Sequence, residues 1–410
     1  MATKYWLGVA DAVAQVATVQ VTAFDATTSY RLTVGGVLIA VAGVTDVNAT
    51  ATALAAAWNA STHPYCAAVT AVADTDTVTL TADTAGVPFV VASSVSAGTG
   101  TIGSVTESVA NAGPNDWSSA DNWSDGSIPA NGDTVIFRAN AINVCWGLNQ
   151  AAVTIDNLFI EKSYTGRIGL NLNAFATTAN GETTDAAKPE YRADYLRIDY
   201  DVLEVGKHTG GGSPSGSQRV KIENQNSGVS TTTVFATAST SAESSLAAAR
   251  FLAASASADF FIRDGSVGIG IDQPNETSTV GDVYVDGSGA ECFIGDGVTI
   301  TSFTQVQGTA LLQAAATVTS VEVLNGTLTI EGSFTITTLT QEGGVIIDNH
   351  VAAGNAITTA NLNGGTMLAN RSSRARTWAT LNMGASGSLT ANSDFLTITA
   401  LNDPPGEYTL

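Results

Sequence analysis

Cations are scarce in this chain. Lys and Arg number 16 in 410 residues against 37 Asp and Glu, a formal net charge of −21. A nucleic-acid interface needs clustered cations to displace counterions from phosphates, so none is expected. The same shortage excludes docking on an anionic membrane surface. Histidine is rarer still: His63, His208 and His350 are too dispersed to suggest a metal site. Cys66, Cys145 and Cys292 are odd in number, far apart and without a Cys-x-x-Cys spacing. That excludes a disulfide framework and predicts buried thiols. No apolar run approaches the roughly 18 residues that a membrane-spanning helix needs. The segment from Met1 to Leu7 has no cationic stretch leading into an apolar one, so no export signal is expected. Charged residues are only 13% of the total, which leaves Thr, Ser, Asn and Gln to make the surface. Such a surface suits β-rich fibres and virion proteins, and an acidic one stays soluble at high local density.

Glycine is present, and it recurs. From residue 265 onward it returns at Gly268, Gly289, Gly308, Gly326, Gly344, Gly365 and Gly387, at intervals of 21, 19, 18, 18, 21 and 22 residues. Around these positions lie short β-forming runs, Val321–Val323, Thr327–Ile330, Ser333–Thr338 and Val345–Ile347, in which apolar residues alternate with Thr, Ser or Asn. Strands alone at a period near 20 point to a solenoid, whereas strands of a sandwich recur every 8–12 residues or so. Each coil turns its corners at Gly, Asn or Asp, which accept positive φ cheaply. One coil cannot bury its own apolar face, so the coils must stack. The expected fold is mainly β: a small α+β N-terminal domain followed by a right-handed parallel β-helix. At least five coils should lie between residues 265 and 400, with Val323, Leu328, Ile330, Ile336, Ile346 and Leu368 pointing inward.

Three segments follow along the chain. Residues 1–110 read as an α+β attachment domain. Ala14–Phe24 and Tyr30–Val34 form strands around a turn at Asp25–Ser29, and Val37–Val41 and Val78–Thr81 form a second pair. Gly86–Val91 reads as an edge strand with Pro88 where a ladder donor is dispensable. One helix is expected over Asn48–Ala60, capped by Asp46 or Asn48, with Ala51, Leu54, Ala55 and Trp58 on one face. Tyr5, Trp6 and Trp58 are expected in the core. The Ser-, Gly- and Thr-rich stretch 93–114 reads as a linker. Residues 111–264 read as the capped first part of the β-helix, with a loop excursion at Gly206–Ser217 and either a helix or an irregular loop at Ala242–Ala254. Residues 265–410 hold the regular coils and the C-terminal end.

The 111–264 segment opens with Trp117, Asn122-Trp123, Pro129 and Gly132-Asp133. This pattern resembles the opening segment of passenger-type β-helices in bacterial surface proteins. It is also similar to segments of β-helical phage structural proteins. An open solenoid end is an exposed core and a free sheet edge, and bulky indoles over the first coil would close it. Trp117, Trp123, Pro129, Gly132 and Asp133 are therefore the candidate cap. Further on, Cys145–Gln150, Ala152–Ile155, Ser163–Gly169, Tyr191–Leu196, Arg263–Gly268 and Arg374–Thr377 resemble a family of uncharacterised β-helical structural proteins of tailed bacteriophages. The resemblance covers roughly residues 115–400 and implies a virion structural protein.

Groups that bear chemistry are few. Gly206-Lys207-His208-Thr209 lacks the earlier glycine of a phosphate loop, since Val202 stands there. Asp121, Asp125, Gly126 and Asp133 cluster without the spacing of a calcium loop and read as turn formers. A glycan-cleaving spike needs two carboxylates facing one groove. Glu322, Glu331, Glu342 and Asp348 lie in successive coils, and Asp348 and His350 share one strand face, but acids here mostly occupy turns. Arg371, Arg374 and Arg376, flanking Trp378, read as a cationic spot that pairs with a neighbouring subunit or merely as a solvated corner. No catalytic residue, cofactor or metal is expected. The expected protein is a noncatalytic virion component, a capsid decoration protein or head fibre bound to the major capsid protein and assembled as a homo-oligomer. The alternatives are a tail spike or fibre that binds or cuts host glycan, and a bacterial surface adhesin.

Overall fold

The computed structural model describes residues 2–169, 195–207, 219–237, 247–271, 276–350, 355–370, 374–392, 394–402 and 407–409. After a small N-terminal unit the chain winds into a parallel β-solenoid of about ten turns. Strands of successive coils pair in parallel and make two long faces. On one, Leu158, Leu203, Thr232, Phe260, Val283, Phe303, Val321, Leu339, Ala360 and Leu381 stack inward in register. On the other, Val220, Ala249, Val267, Cys292, Ala310, Leu328, Ile346, Met367 and Leu389 do the same. The period of two along each strand sends every second side chain into this continuous core. Burial pushes the thiol of Cys145 up to about 11, and the fully buried Cys292 thiol higher still.

Val323, Leu328, Ile330, Ile336 and Ile346 point inward as expected. Leu368 does not. It pairs with the half-buried Ile347, while Met367 pairs with the buried Ile346. The Gly364-Gly365 corner shifts the alternation by one residue, and a one-residue shift exchanges the two faces of a strand.

The coil glycines divide. Gly308, Gly326, Gly344 and Gly365 share one corner with φ of 90, 91, 68 and 79°. They stack so closely that a Cβ on Gly326 would lie 2.4 Å from the Gly308 carbonyl oxygen. Gly268, Gly289 and Gly387 are not among the positive-φ residues. Gly268 sits inside the strand Gly265–Ile269, under the Ile271 side chain. The corner residue of that coil is Gly265, at φ 84°. Beside the glycine corner, the buried Gln305 amide donates to the carbonyls of Gly308 (2.8 Å) and Thr327 (3.2 Å). Gln341 repeats this with Gly344 (3.2 Å) and Thr366 (3.1 Å). Gly326→Ala is expected to lower the stability by at least about 1 kcal/mol in chemical denaturation, because an L residue is strained at this φ and its methyl group has no room. Gly126→Ala, at φ 70° with nothing within 4 Å of the added carbon, supplies the control that separates strain from clash.

The N-terminal unit has β2 (Val16–Ala23), β3 (Ser29–Val34), β4 (Val37–Ala42), α1 (Val47–Ala60), α2 (Pro64–Ala67), β5 (Val69–Asp74), β6 (Thr77–Ala82), β7 (Val91–Ser96), β8 (Thr101–Ile102) and β9 (Thr106–Val109). Asp46 caps α1 by accepting from the Ala49 amide at 2.8 Å, and Ala51, Leu54, Ala55 and Trp58 are buried. The strands form two sheets, β5-β6-β2-β8 with β9 also on β2, and β4-β3-β7. Four expectations are thereby corrected. The Asp25–Ser29 turn carries the chain from one sheet to the other, so Ala14–Phe24 and Tyr30–Val34 do not pair. The hairpin is β3–β4, closed by Gly35 and Gly36 at φ 53 and 76°, the geometry that the tightest hairpins demand. Val37–Val41 and Val78–Thr81 lie in different sheets. The Gly86–Val91 edge strand is absent, with the strand starting only at Val91. The linker read at 93–114 carries three strands: β7, β8 and β9 use its Thr, Ser and Val residues to complete the sheets.

The solenoid begins before this unit. β1 (Thr3–Tyr5) pairs in parallel with β10 (Thr134–Phe137), 131 residues away at Lys4 and Val135. Trp6 accordingly belongs to the solenoid core and not to the core of residues 17–91. The edge of β10 would otherwise lack a partner, and β1 supplies it. Residues 208–218, which hold most of the expected loop excursion, and residues 242–246 lie outside the described residues. Ala249–Ala253 is a strand, neither helix nor loop.

Candidate functional site

The acids considered for a glycan groove do not meet. Glu322 faces outward on one long face, between Thr304 and Thr340. Glu331 faces outward on the other, near the amides of Gln313 (3.2 Å) and Asn349 (3.5 Å). Glu342 stands at an exposed corner and accepts from Asn363 at 2.7 Å. Asp348 and His350 share a strand face, as the period of two requires, but it is the inner face. Both are 0% exposed. Asp348 lies 2.7 Å from His350 Nδ1 and 2.9 Å from Arg376 Nε, and Arg376 also donates to the Ala369 carbonyl. Phe334 packs on the imidazole with ring centroids 4.9 Å apart. Burial works against ionisation of Asp348, yet the hydrogen bond and charge of His350 and the charge of Arg376 prevail and hold its carboxyl below the usual range. This ion cluster is sealed from any polymer outside the solenoid.

Arg376 is thus neither a solvated corner nor a contact for a neighbouring subunit. It pairs within its own chain, one coil above its acid. The signal was available in the sequence: Arg376 stands two residues before Trp378 in one strand, so the two share a face, and an indole of that size faces the core. Arg374 is exposed and Arg371 lies outside the described residues.

The candidate cap residues do converge. Trp117 and Trp123 are buried, with ring centroids 4.6 Å apart and planes at 68°. Trp6 packs on Trp123 at 5.1 Å, and all three lie within about 6 Å of Phe137. Such edge-to-face contacts add to the burial of the rings themselves. Trp123 Nε1 donates to the Trp117 carbonyl (2.9 Å) and Trp6 Nε1 to that of Ile142 (3.1 Å). Ser124 closes the outer edge of β1: its amide donates to the Tyr5 carbonyl (3.1 Å) and its hydroxyl accepts from the Tyr5 amide (3.1 Å). Gly132 turns at φ 80°, and Pro129 is buried beside it.

The acidic cluster at this end already has its cation. Lys4 occupies the core column at the terminal rung. Its ammonium lies 2.9 Å from Asp125 and 3.8 Å from Asp133. Asp133 also accepts from the amides of Ala2 (2.8 Å) and Ala130 (3.0 Å). Asp121 is exposed. Among the described residues no group of three or more His, Cys, Asp and Glu is arranged to hold a metal.

What sequence reasoning missed lies on the N-terminal unit. Of the fifteen large apolar side chains that stay exposed among the described residues, seven fall within residues 14–111: Phe24, Leu38, Val44, Val72, Val90, Val95 and Val109. These features define a capped parallel β-solenoid with an α+β unit inserted at its sealed end. Compared with known proteins, the chain matches no family model, no curated protein and no solved structure.

Proposed function

We propose that this protein is a noncatalytic structural component of a tailed-bacteriophage particle, a capsid decoration protein or head fibre. The N-terminal unit attaches to the particle and the solenoid projects from it. The observation that carries the reading is the concentration of exposed apolar side chains on the N-terminal unit, since a water-excluding protein contact needs such a surface. The projecting part has the opposite character: a polar, acid-rich exterior around a core whose one Asp–His–Arg group is sealed.

The test is electron microscopy of intact particles mixed with gold-labelled full-length protein. Label at regular positions on the head supports the reading, with binding that saturates at a symmetric copy number. Label confined to the host cell surface overturns it. A second reading, a spike or fibre that holds host glycan, draws on Phe261 and Tyr284, which face outward with ring centroids 5.9 Å apart. Arg263 lies over Phe261 and pairs with Asp286. Saturable binding of host polysaccharide that is lost in Tyr284→Ala selects that reading instead.

A further inference from the structure

The two sheets of the N-terminal unit end in edges of different character. In the larger sheet the edge strand β5 is blunted by α1. Trp58 Nε1 donates to the Val69 carbonyl at 2.7 Å. The Asn59 side chain makes a matched pair with Ala71, donating to its carbonyl (2.7 Å) and accepting from its amide (3.0 Å). These side chains occupy the backbone groups that another strand would use. The opposite edge of that sheet is divided between two short strands, β8 of two residues and β9 of four.

The smaller sheet ends in β4, Val37-Leu38-Ile39-Ala40-Val41-Ala42. It pairs with β3 over all six residues without a bulge. Among the described residues no strand pairs with its other side, and no side chain hydrogen-bonds to its backbone. The sequence carries none of the devices that usually protect an edge: no charge, no proline, no bulge. Leu38 is 52% exposed, and Ala40 and Ala42 are exposed on the same face. The β4 backbone therefore presents an open row of donors and acceptors about 20 Å long, at roughly 3.3 Å per residue.

We infer that β4 is the attachment element: it receives one extended, uncharged strand of a particle protein, flanked by basic residues, by β-strand addition. The row of unpaired N–H and C=O groups specifies an extended backbone. The absence of charge on β4 specifies apolar or hydroxyl side chains on the incoming strand. The flanks are set by charge. Residues 13–109 hold Asp25, Asp46, Asp74, Asp76, Asp83 and Glu107 against the single cation Arg31. Asp46 lies four residues beyond β4. The Asp25 carbonyl lies against Gly43, the residue that follows β4, at 2.3 Å from where a Cβ would stand. The amides of Thr27 and Thr99 hold the Asp25 carboxyl well below the usual carboxylate range, so it stays charged. A second copy of this unit would bring like charge to like, whereas a basic-flanked segment is attracted.

This inference rests on the attachment role proposed above and is tested apart from it. The probe is a labelled synthetic peptide of alternating Val and Thr with a Lys at each end, titrated into the full-length protein and followed by fluorescence anisotropy. Saturable binding is expected. Ala40→Lys, which charges the edge and touches no core residue, should weaken it at least tenfold while the chain stays folded, its melting temperature lowered only by repulsion from Arg31 directly across the β3–β4 pair. Ala40→Ser should bind like the parent. Hydrogen exchange should show new protection at residues 37–42 in the complex. Equal affinity for Ala40→Lys overturns the inference, as does protection elsewhere or no binding at all. So does a dimer of the parent chain that Ala40→Lys abolishes, since the edge then belongs to a second copy. If Ala40→Lys still decorates particles, the attachment role stands and strand addition falls. If the peptide binds β4 but the parent chain does not decorate particles, the attachment role falls alone.

Discussion

Arg376→Ala should cost the fold about 3–5 kcal/mol, the loss expected when one partner of a buried ion pair is removed and the other charge stays behind. Asp348 is fully buried, and its permanently charged partner is Arg376, with Nε at 2.9 Å. Without the guanidinium, the carboxylate must stay charged in an apolar core or take up a proton. The double variant Asp348→Leu/Arg376→Met removes both charges and should recover part of the loss, because apolar replacement of a buried pair is often neutral or stabilising, while the buried His350 still loses its bond to Asp348. Urea titrations of parent, single and double variants measure the difference. If Arg376→Ala unfolds at the parent's midpoint, the ion cluster has no structural part. The cluster also sets a pH dependence. The folded-state pKa of Asp348 lies below its ordinary value near 3.8. Its contribution is therefore present in full above the unfolded-state value and is lost as pH falls through the folded one. Acid should destabilise the parent below about pH 4, with a shallower fall in the double variant.

Trp123→Ala should cost a comparable amount, about 3–5 kcal/mol, the range for deleting a large buried aromatic. Its indole touches Trp6, Trp117 and Phe137 together. Its loss opens the terminal rung as well as leaving a cavity. Trp117→Ala should behave alike, and both variants should scatter light on storage, since an uncovered rung offers its edge to another chain. Variants as stable and monodisperse as the parent would show that the indoles do not seal the solenoid.

The coils were legible because their signal is local and repeated. An apolar alternation at a period near 20 identifies the fold even where individual corner glycines are misplaced, as Gly268 and Gly289 were. Leu368 was misread because a glycine pair resets the alternation, and only the register with Ile347 reveals it. The partition of the N-terminal strands was hidden for a different reason. Asp25–Ser29 reads as a turn, and nothing local tells a hairpin from a change of sheet. β1 was least legible of all, because three residues whose partner lies 131 positions away carry no periodic signal. The ion cluster was half legible. The shared face of Asp348 and His350 followed from their spacing, whereas its inward direction required Ile346 to be taken as the reference.

The inserted unit leaves and re-enters the solenoid through neighbouring backbone. Val13 and Ala112 form an antiparallel bridge, with the Val13 amide 2.8 Å from the Ala112 carbonyl oxygen. Residues 14–111 are thus a cassette whose two splice points already touch. Excising it and joining the ends with a short turn would leave β1, the three indoles and the rod behind them in place. Domains with adjacent termini tolerate such grafting. If the insert carries the attachment role proposed above, exchanging it alone changes what the rod fastens to and leaves the sealed end intact.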